Sequence, residues 1–385
     1  MKTYQIEPMA PLVFRSGRPF GAGSRDGANF PWPSSLAGLM RTAAMDAAGW
    51  AATALNDAQQ QALLSKATAG PILACRTGAS ITPLLPKPAD ALYLLKDEKT
   101  ALFPLAPGNY PTASGSDLPA GLSPVVLSAD APKSKPQKGA EYWPLDKLLA
   151  WRRGESLAFA DLPGETDKPL SDTRTNVAIN RASFASADGK LFQIQGLDFG
   201  RARKQTGGYT DADWLLLTRF AETLAARTVT LGGERRLSWL APVENDPLAL
   251  PKAHADALTN SPGIAITFAT PALFTGGWKP GWLDDALVGD IPGIPGLRLR
   301  LKAAAIERWQ GLSGWDLRTQ KAKLARKAVA AGATYWFEII GTPPDDWQQA
   351  LWLLPLSDDP QDRLDGFGLA IPGPWNTQLI APLNA

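Results

Sequence analysis

Two arginines beside a glycine are the residues of this chain whose types and spacing most clearly suggest chemistry. Arg15 and Arg18 flank Gly17 within residues 14–20, which read FRSGRPF. The stretch precedes a predicted helix, and guanidinium groups near a helix N-terminus bind phosphate groups well. We therefore predict phosphate contacts at these three residues. The alternative is that the arginines pair with a local acid such as Asp26 and only shape the loop.

A second group of cationic residues occupies residues 298–327. Nine basic and two acidic residues give this segment a charge of +7, whereas the whole chain carries +2. Apolar and basic residues alternate at its start, which predicts a strand with one cationic face formed by Arg298, Arg300 and Lys302. Such a face can neutralise phosphates, which supply most of the sequence-independent affinity for RNA.

Tryptophans interleave with the charges of this basic segment at positions 309 and 315. Aromatic side chains form platforms on which unpaired bases stack. We therefore predict RNA contacts at Trp315, Lys321 and Lys323. The alternative is a solvated strand face with each tryptophan in the core.

Glycine-containing turns would let backbone amides approach a ligand closely. They lie at residues 232–236 (GGERR), 276–278 (GGW), 314–316 (GWD) and 366–368 (GFG). The first turn carries its own arginine pair and the third lies inside the basic segment. From the first two turns we predict RNA contacts at Arg235, Arg236, Gly276, Gly277 and Trp278.

Residues that catalyse reactions or bind metals are scarce. One histidine and one cysteine leave no histidine pair for a metal site and no disulfide within the chain. The Asp-Phe-Gly at residues 198–200 matches a kinase motif, but the catalytic-loop histidine motif that accompanies it is missing. No phosphate-binding Gly-Lys-Ser/Thr loop or complete dinucleotide fingerprint occurs. We therefore expect a protein that is not an enzyme and that uses no metal or cofactor.

His254 supports the one enzymatic alternative. Metal-independent ribonucleases often use a histidine as general base or acid. This histidine lies in the polar segment 251–256 (PKAHAD), which we predict to be an exposed loop.

Length and composition indicate a globular protein with two domains. The chain has 385 residues, of which 45% are hydrophobic and 20% are charged. The N-terminal residues lack the apolar core of a signal peptide, and no apolar run reaches the roughly 18 residues that span a membrane. We expect a cytoplasmic protein without membrane contact.

The N-terminal half begins like a ferredoxin-like unit. A strand at residues 2–7 and a long loop precede a helix that Ser34 or Ser35 would cap. Its apolar stripe comprises Leu36, Leu39, Met40, Ala43, Ala44 and Ala47. Residues 86–140 are rich in Pro, Ala, Ser and Gly and predict a partly irregular insertion.

The remaining elements complete an α+β fold. Residues 173–199 predict a hairpin that turns at Asp188-Gly189, and residues 211–226 predict a helix. Further strands are predicted at 227–242, 263–274, 297–308 and 332–340, with a helix at 344–354. We therefore predict two ferredoxin-like (RRM-like) βαββαβ domains with long loops, at residues 1–225 and 226–385.

The sequence resembles the family of third subunits of the Cmr complex, the type III-B CRISPR effector. This family belongs to the RAMP superfamily. Ser16 replaces an Asp that is usual in the family, and Ala330 replaces a common Pro. The matching blocks lie at residues 4–8, 14–20, 33–42, 176–192, 231–236, 269–274, 314–316 and 366–375.

The resemblance implies a function and partners. It implies a non-catalytic RNA-binding subunit that holds the 5′ repeat-derived tag of the crRNA. It also implies contacts with the large polymerase-like subunit and the adjacent RAMP backbone subunit, and indirect contact with target RNA. The block at residues 33–42 adds Ser34 and Arg41 to the expected RNA contacts.

Two alternatives remain open at this point. One is a RAMP-type endoribonuclease that processes CRISPR precursor RNA with His254 as its catalytic group. The other is the equivalent subunit of a type III-A complex.

Overall fold

The computed structural model describes residues 1–14, 25–110, 114–128, 130–164, 168–203, 209–316 and 321–381. The strands in these ranges are β1 (Lys2–Pro8), β2 (Arg25–Asp26), β3 (Thr68–Thr77), β4 (Ser80–Pro86), β5 (Ala91–Lys96), β6 (Lys99–Pro107), β7 (Val125–Leu127), β8 (Tyr142–Pro144), β9 (Leu170–Ile179), β10 (Ser186–Asp198), β11 (Arg201–Arg203), β12 (Tyr209–Phe220), β13 (Arg227–Leu231), β14 (Arg236–Pro242), β15 (Gly263–Phe268), β16 (Val288–Asp290), β17 (Arg298–Ala305), β18 (Gln310–Leu312), β19 (Trp315–Asp316), β20 (Lys321–Ala322), β21 (Arg326–Ala328), β22 (Thr334–Ile340) and β23 (Ala370–Trp375). The helices are α1 (Pro33–Ala47), α2 (Asp57–Leu64), α3 (Leu145–Arg152), α4 (Lys252–Thr259), α5 (Trp347–Leu351) and α6 (Pro360–Asp365). Predominantly antiparallel sheets with few helices confirm the predicted α+β class.

The chain forms two compact units, and neither is continuous in sequence. Unit 1 comprises Met1–Ile81, Lys168–Asn245 and Gly311–Lys327, and unit 2 comprises Thr82–Asp167, Asp246–Gln310 and Ala328–Ala385. These units do not follow the division between residues 225 and 226 drawn from the sequence. The difference arises because residues 82–167 pack with the C-terminal strands, whereas residues 311–327 pack with the N-terminal ones.

The main sheet of unit 1 has the strand order β13-β14-β1-β12-β3, with β11 beside β12. Its central strand β12 pairs antiparallel with β1 and with β3. The helix predicted at residues 211–226 is therefore wrong. Leu215, Leu216 and Leu217 are each fully buried, which requires that both faces of the strand are covered. A short run of adjacent apolar residues of this kind cannot be told from a buried helix by periodicity, and this caused the wrong prediction.

Helix α1 confirms the predicted apolar stripe but not its cap. Leu36, Leu39, Met40, Ala43 and Ala44 are buried, while Ala47 at the helix end is exposed. The N-cap is Trp32, whose side chain makes no capping hydrogen bond. Because Pro33 occupies the first helical position, Ser34 and Ser35 lie inside the first turn and cannot cap it.

The hairpin of β9 and β10 is confirmed, but its turn lies earlier than predicted. The backbone N–H of Asn180 donates to Ala185 O (2.8 Å), and the side-chain oxygen of Asn180 accepts from Ala182 N (2.9 Å). Asp188-Gly189 falls inside β10, where the register with β9 shifts. Gly189 has φ +69°. Its left-handed backbone therefore accommodates the register shift inside β10, and the hairpin turn lies elsewhere.

Unit 2 contains a second antiparallel sheet, with the order β16-β17-β22-β15-β23. Its core contains Phe268, Tyr335 and Phe337, all nearly fully buried. The rings of Tyr335 and Phe337 stack with centroids 6.4 Å apart. These three aromatic side chains therefore serve packing within unit 2.

The insertion predicted at residues 86–140 is partly irregular, as expected, because its described residues 114–124 and 130–140 contain no helix or strand. Strands β5, β6 and β7 form a three-stranded sheet. Trp143 Nε1 donates to the Tyr93 hydroxyl (2.7 Å), which donates to Ala140 O (2.9 Å) in a buried chain of hydrogen bonds. Burial does not alternate strictly along these short strands, so a period-two sequence pattern could not reveal them.

No helix within the described ranges is both long and apolar enough to cross a membrane.

Replacing Leu216 with alanine should lower the free energy of unfolding by about 2–5 kcal/mol, because the cavity would lie in the central strand of unit 1. Leu237 on β14 is 51% exposed, and Leu237→Ala should cost less than about 1 kcal/mol. Urea unfolding followed by circular dichroism measures both. Equal losses would contradict the position of β12 at the centre of the sheet.

Candidate nucleic-acid interface

The first predicted contacts, Arg15, Gly17 and Arg18, lie outside the described residues, whereas the residues directly before them are described. Leu12, Val13 and Phe14 are buried. We call residues 11–14 the N-terminal strap. Its position fixes where the FRSGRPF stretch begins.

Backbone hydrogen bonds hold the N-terminal strap on both sides. Leu12 and Leu197 exchange two bonds of 2.8 Å each, which attach the strap to β10. Gly233 N donates to Val13 O (2.8 Å), which attaches it to the turn before β14. The strap therefore connects the β9–β10 hairpin with the GGERR turn in unit 1.

Gly232 makes this approach possible. Its φ is +73°, and a Cβ at this position would lie 2.8 Å from Val13 O. Both the backbone conformation and the contact distance require glycine. Gly232 thus allows the backbone of the GGERR turn to lie close to the strap.

The two arginines of this turn differ in their surroundings. Arg235 is exposed and has a left-handed φ of +52°. Arg236 is half-buried and forms an ion pair with the Glu234 carboxylate. Its Nε atom is buried and has no hydrogen-bond partner among the described residues. Arg235 presents its charge to solvent, whereas Arg236 contributes to a cleft.

The cleft lies between the strap, the GGERR turn and the face of the β9–β10 hairpin. It has a volume of about 90 Å³. Two acids and two arginines occupy it, each in an ion pair: Arg174 Nε lies 2.6 Å from Asp172 Oδ2, and Arg236 pairs with Glu234. The lining residues are Pro11, Val13, Asp172, Arg174, Asn176, Ile194, Gly196, Glu234 and Arg236.

Sequence reasoning missed the β9 contribution to this cleft. Asp172, Arg174 and Asn176 alternate along β9 and therefore share one face of the hairpin. The alternation was visible in the sequence. What it faces could not be inferred, because the strap and the turn come from distant segments.

The strand predicted at the start of the basic segment is confirmed as β17. Arg298 and Arg300 are exposed and alternate with the buried Leu299 and Leu301, while Lys302 is half-buried. The expected cationic face is nevertheless partly neutralised, because neighbouring strands contribute acids.

The acids beside β17 come from both neighbouring strands. Asp290 of β16 lies opposite Arg298. Arg300 Nη1 lies 3.2 Å from Glu338 Oε2 on β22. The sheet face that contains β17 is therefore less positive than the sequence of β17 by itself suggests.

The rest of the basic segment folds back as a hairpin in unit 1. Strand β18 pairs with β21, and β19 pairs with β20. Lys321 and Lys323 are exposed. Trp315 lies opposite Ala322 in the strand register, and its side chain is outside the described part. The thirty-residue segment is thus shared between the two units.

The loop at residues 276–278 is fastened by a carboxylate. Asp358 accepts hydrogen bonds from Thr275 N (2.7 Å) and Gly281 N (2.8 Å). Trp278 packs against the core of unit 2, and its carbonyl accepts from the Tyr335 hydroxyl (2.7 Å). These contacts account for Trp278 structurally, while Gly276 and Gly277 are exposed.

Arg41 and Ser34, both on α1, occupy positions that serve the fold. Arg41 is 8% exposed and donates to Lys66 O from Nε (3.3 Å) and Nη2 (3.1 Å). Ser34 is half-buried in the first helical turn. Arg41 thus ties α1 to the chain before β3 through the Lys66 carbonyl oxygen, and this role in the fold requires no RNA.

His254 is fully buried in α4, so the expected exposed loop is wrong. Its Nε2 lies 2.8 Å from Pro372 O and therefore donates, while Nδ1 lies 3.3 Å from Arg153 Nη1 and accepts. Burial lowers the pKa of His254, and the neighbouring Arg153 and Arg152 lower it further. A buried, neutral histidine is a poor candidate for a general base acting on RNA.

A family model settles the identity of the chain. The model described as CRISPR-associated protein (Cas_Cmr3) matches residues 4–375. The chain belongs to this family. It is therefore a Cmr-type subunit of a type III CRISPR effector complex.

Similar chains also occur among solved structures of Cmr and Csm complexes. Two come from the type III-B Cmr-beta complex bound to cognate target RNA, one of them with AMPPnP in state 1. Each is 14% identical to this Cmr3-family chain, and each match covers 87% of this chain and 86% of the solved chain. The TM-score is 0.48 for the complex with AMPPnP and 0.47 for the complex without it. A chain of the type III-A Csm3–Csm4 subcomplex is 12% identical, covering 98% of this chain and 100% of its own, with a TM-score of 0.35. No curated protein matches the chain.

Replacing Gly232 with alanine should destabilise this Cmr3-family chain more than replacing Gly121. Both glycines have positive φ, +73° and +86°, but only the Cβ at position 232 would meet another atom, Val13 O. Strain alone costs on the order of 1 kcal/mol, and the clash adds to it. Urea midpoints of the two variants measure the difference. Equal midpoints would contradict the close approach of the turn to the strap.

The stability of the chain should also depend on pH through His254. Its folded pKa is lowered, so its contribution is fully present above the unfolded value of about 6.5 and is lost as the pH falls towards the folded pKa. Below about pH 6.5 the free energy of unfolding should fall by at most about 1.4 kcal/mol per pH unit from this group. His254→Gln should remove that part of the slope.

Urea unfolding at pH 7.5, 6.5 and 5.5 measures the slope in both proteins. No other histidine titrates in this chain. Parallel pH profiles for the two proteins would show that His254 is not buried in neutral form.

Proposed function

We propose that this chain is a non-catalytic RNA-binding subunit that holds the 5′ repeat-derived tag of the crRNA in a type III-B complex. The observation that carries the proposal is the hydrogen bond from Gly233 to Val13. It holds Val13 against the turn that exposes Arg235, and Phe14, the first residue of the FRSGRPF stretch, follows directly.

The chemistry of these groups suits unpaired RNA. Guanidinium groups bind phosphates with two parallel hydrogen bonds, and phosphate contacts position a strand without reading its sequence. A tag is single-stranded, so its phosphates and base edges are both accessible to a protein. The exposed Lys321 and Lys323 of the β18–β21 hairpin would add further phosphate contacts in unit 1.

The strand orders support two ferredoxin-like domains. In unit 1 the sequence β1, α1, β3, β12, β14 gives the sheet order β14-β1-β12-β3. In unit 2 the sequence β15, β17, β22, β23 gives the equivalent order β23-β15-β22-β17. Unit 1 retains the first crossover helix of a βαββαβ fold, and unit 2 retains helices α5 and α6 at the second crossover.

The proposal extends to protein partners. A tag-holding subunit in such a complex would contact the large polymerase-like subunit and the adjacent RAMP backbone subunit, and it would meet target RNA only indirectly. It assigns no catalytic step to this chain, consistent with the burial of the single histidine.

Replacing both Arg15 and Arg18 with alanine should weaken binding of tag-containing RNA by the assembled complex. If each arginine neutralises one phosphate, the slope of log K against log salt should flatten by roughly 1.4. Filter binding at several salt concentrations, with and without the tag, measures both quantities.

The matched control replaces Lys133 and Lys135, two exposed cations of unit 2. It removes the same charge and should leave the affinity for the tag and the slope nearly unchanged. Unchanged binding by the arginine variant, or an equal loss in the control, would argue against the proposed role of the FRSGRPF stretch.

A further inference from the structure

We propose that the cleft between the N-terminal strap, the GGERR turn and the β9–β10 hairpin binds the edge of one unpaired nucleobase, with a preference for guanine. This inference rests on the proposed function, because the cleft borders Val13 and hence the start of the FRSGRPF stretch. It adds base recognition to an interface otherwise directed at phosphates.

The charges of the cleft favour a base over a phosphate. Asp172 and Glu234 balance Arg174 and Arg236, so the lining carries no net charge. The carboxylates of Asp172 and Glu234 would repel the negative charge of a phosphodiester. A nucleobase is neutral and carries donors and acceptors on the same edge, which matches an equal mixture of carboxylates and guanidinium groups.

Hydrogen-bonding capacity remains in these groups after their own contacts. The ion pair of Arg174 joins its Nε to a single carboxylate oxygen of Asp172, and the pair of Arg236 likewise uses one oxygen of Glu234. The Nε of Arg236 is a buried donor without a partner among the described residues. A buried donor of this kind calls for an acceptor.

The walls of the cleft suit an aromatic ring. Ile194 lies opposite Arg174 on the hairpin face, and Pro11 and Val13 lie on the strap side. A Cβ at Gly196 would lie 3.2 Å from both Leu12 O and the Pro11 Cβ. The glycine therefore lets the strap approach the hairpin, and the resulting space of about 90 Å³ suits the edge of one base.

Guanine complements this set of groups best. Its N1–H and N2 amino group form two adjacent donors that one carboxylate can accept together, while O6 and N7 form two acceptors for a guanidinium group. Adenine and cytosine each offer a single amino donor to a carboxylate. Uracil offers one N–H between two carbonyl oxygens, which a carboxylate repels.

The test uses the full-length protein and labelled oligouridine in which one central position is uridine, guanosine, adenosine or inosine. Fluorescence anisotropy measures Kd for each RNA. Guanosine should bind roughly tenfold more tightly than uridine. Inosine lacks the N2 amino group and should lose most of that gain, and this comparison needs no protein variant.

The variants Asp172→Asn and Glu234→Gln remove the carboxylates with little change in shape. Either should reduce the guanosine preference severalfold while oligouridine affinity stays the same or rises slightly. Asp188→Asn, an exposed acid elsewhere on β10, is the matched control and should keep the preference. Circular dichroism confirms that all three variants fold.

The outcomes separate this inference from the proposed function. Oligouridine binding with normal salt dependence but without a guanosine preference overturns the guanine site alone. A preference that survives in both cleft variants places base recognition elsewhere and also overturns it. Failure to bind any of the four RNAs contradicts the proposed function and removes the basis of the guanine site with it.

Discussion

The hydrogen bond from Gly233 N to Val13 O is the contact on which the candidate interface depends. It joins the end of the N-terminal strap to the turn between β13 and β14, and the paired bonds of Leu12 with Leu197 join the same strap to β10. Three segments that are far apart in sequence thereby share one surface of unit 1. The contact needs a left-handed glycine, since Gly232 approaches Val13 O more closely than any side chain allows. These contacts fix the positions of Val13 and Phe14, where the FRSGRPF stretch begins.

Burial and pairing separate the arginines into those that hold the fold and those that can bind a ligand. Arg41 donates to a carbonyl oxygen near α1, and Arg152 pairs with the buried Asp90 in unit 2. Removing either would leave a buried polar group unpaired, which costs more than the pair contributes. Arg235 is exposed, and Arg174 is exposed beside a cleft. Only the second kind can neutralise a phosphate or read a base without first breaking the core.

The sequence was a good guide to local elements and a poor one to their surroundings. Alternation correctly predicted β1, the β9–β10 hairpin and β17, and the helical stripe correctly predicted α1. The wrong helix prediction at β12 has a physical cause. Strands flank β12 on both edges and both of its faces are covered, so three adjacent leucines are buried. Nothing in a single segment reveals such neighbours.

The same limit applies to the candidate site. The arginines of β17 were visible in the sequence, but Asp290 and Glu338 beside them come from other strands. The cleft was not foreseen because its groups come from the strap, the hairpin and the turn. The GGERR turn and the FRSGRPF stretch could be named from the sequence, whereas the contact of Val13 with Gly233 could not be predicted.

The central claim is that unit 1 holds the tag at the surface built on the strap, and photocrosslinking tests it most directly. The effector complex would be assembled with crRNA that carries 4-thiouridine at single positions of the tag, irradiated, and digested for mapping by mass spectrometry. The account predicts crosslinks to peptides that contain residues 11–18, 172–176 or 232–236. Crosslinks confined to unit 2 or to other subunits, in a complex that has assembled fully, would contradict it.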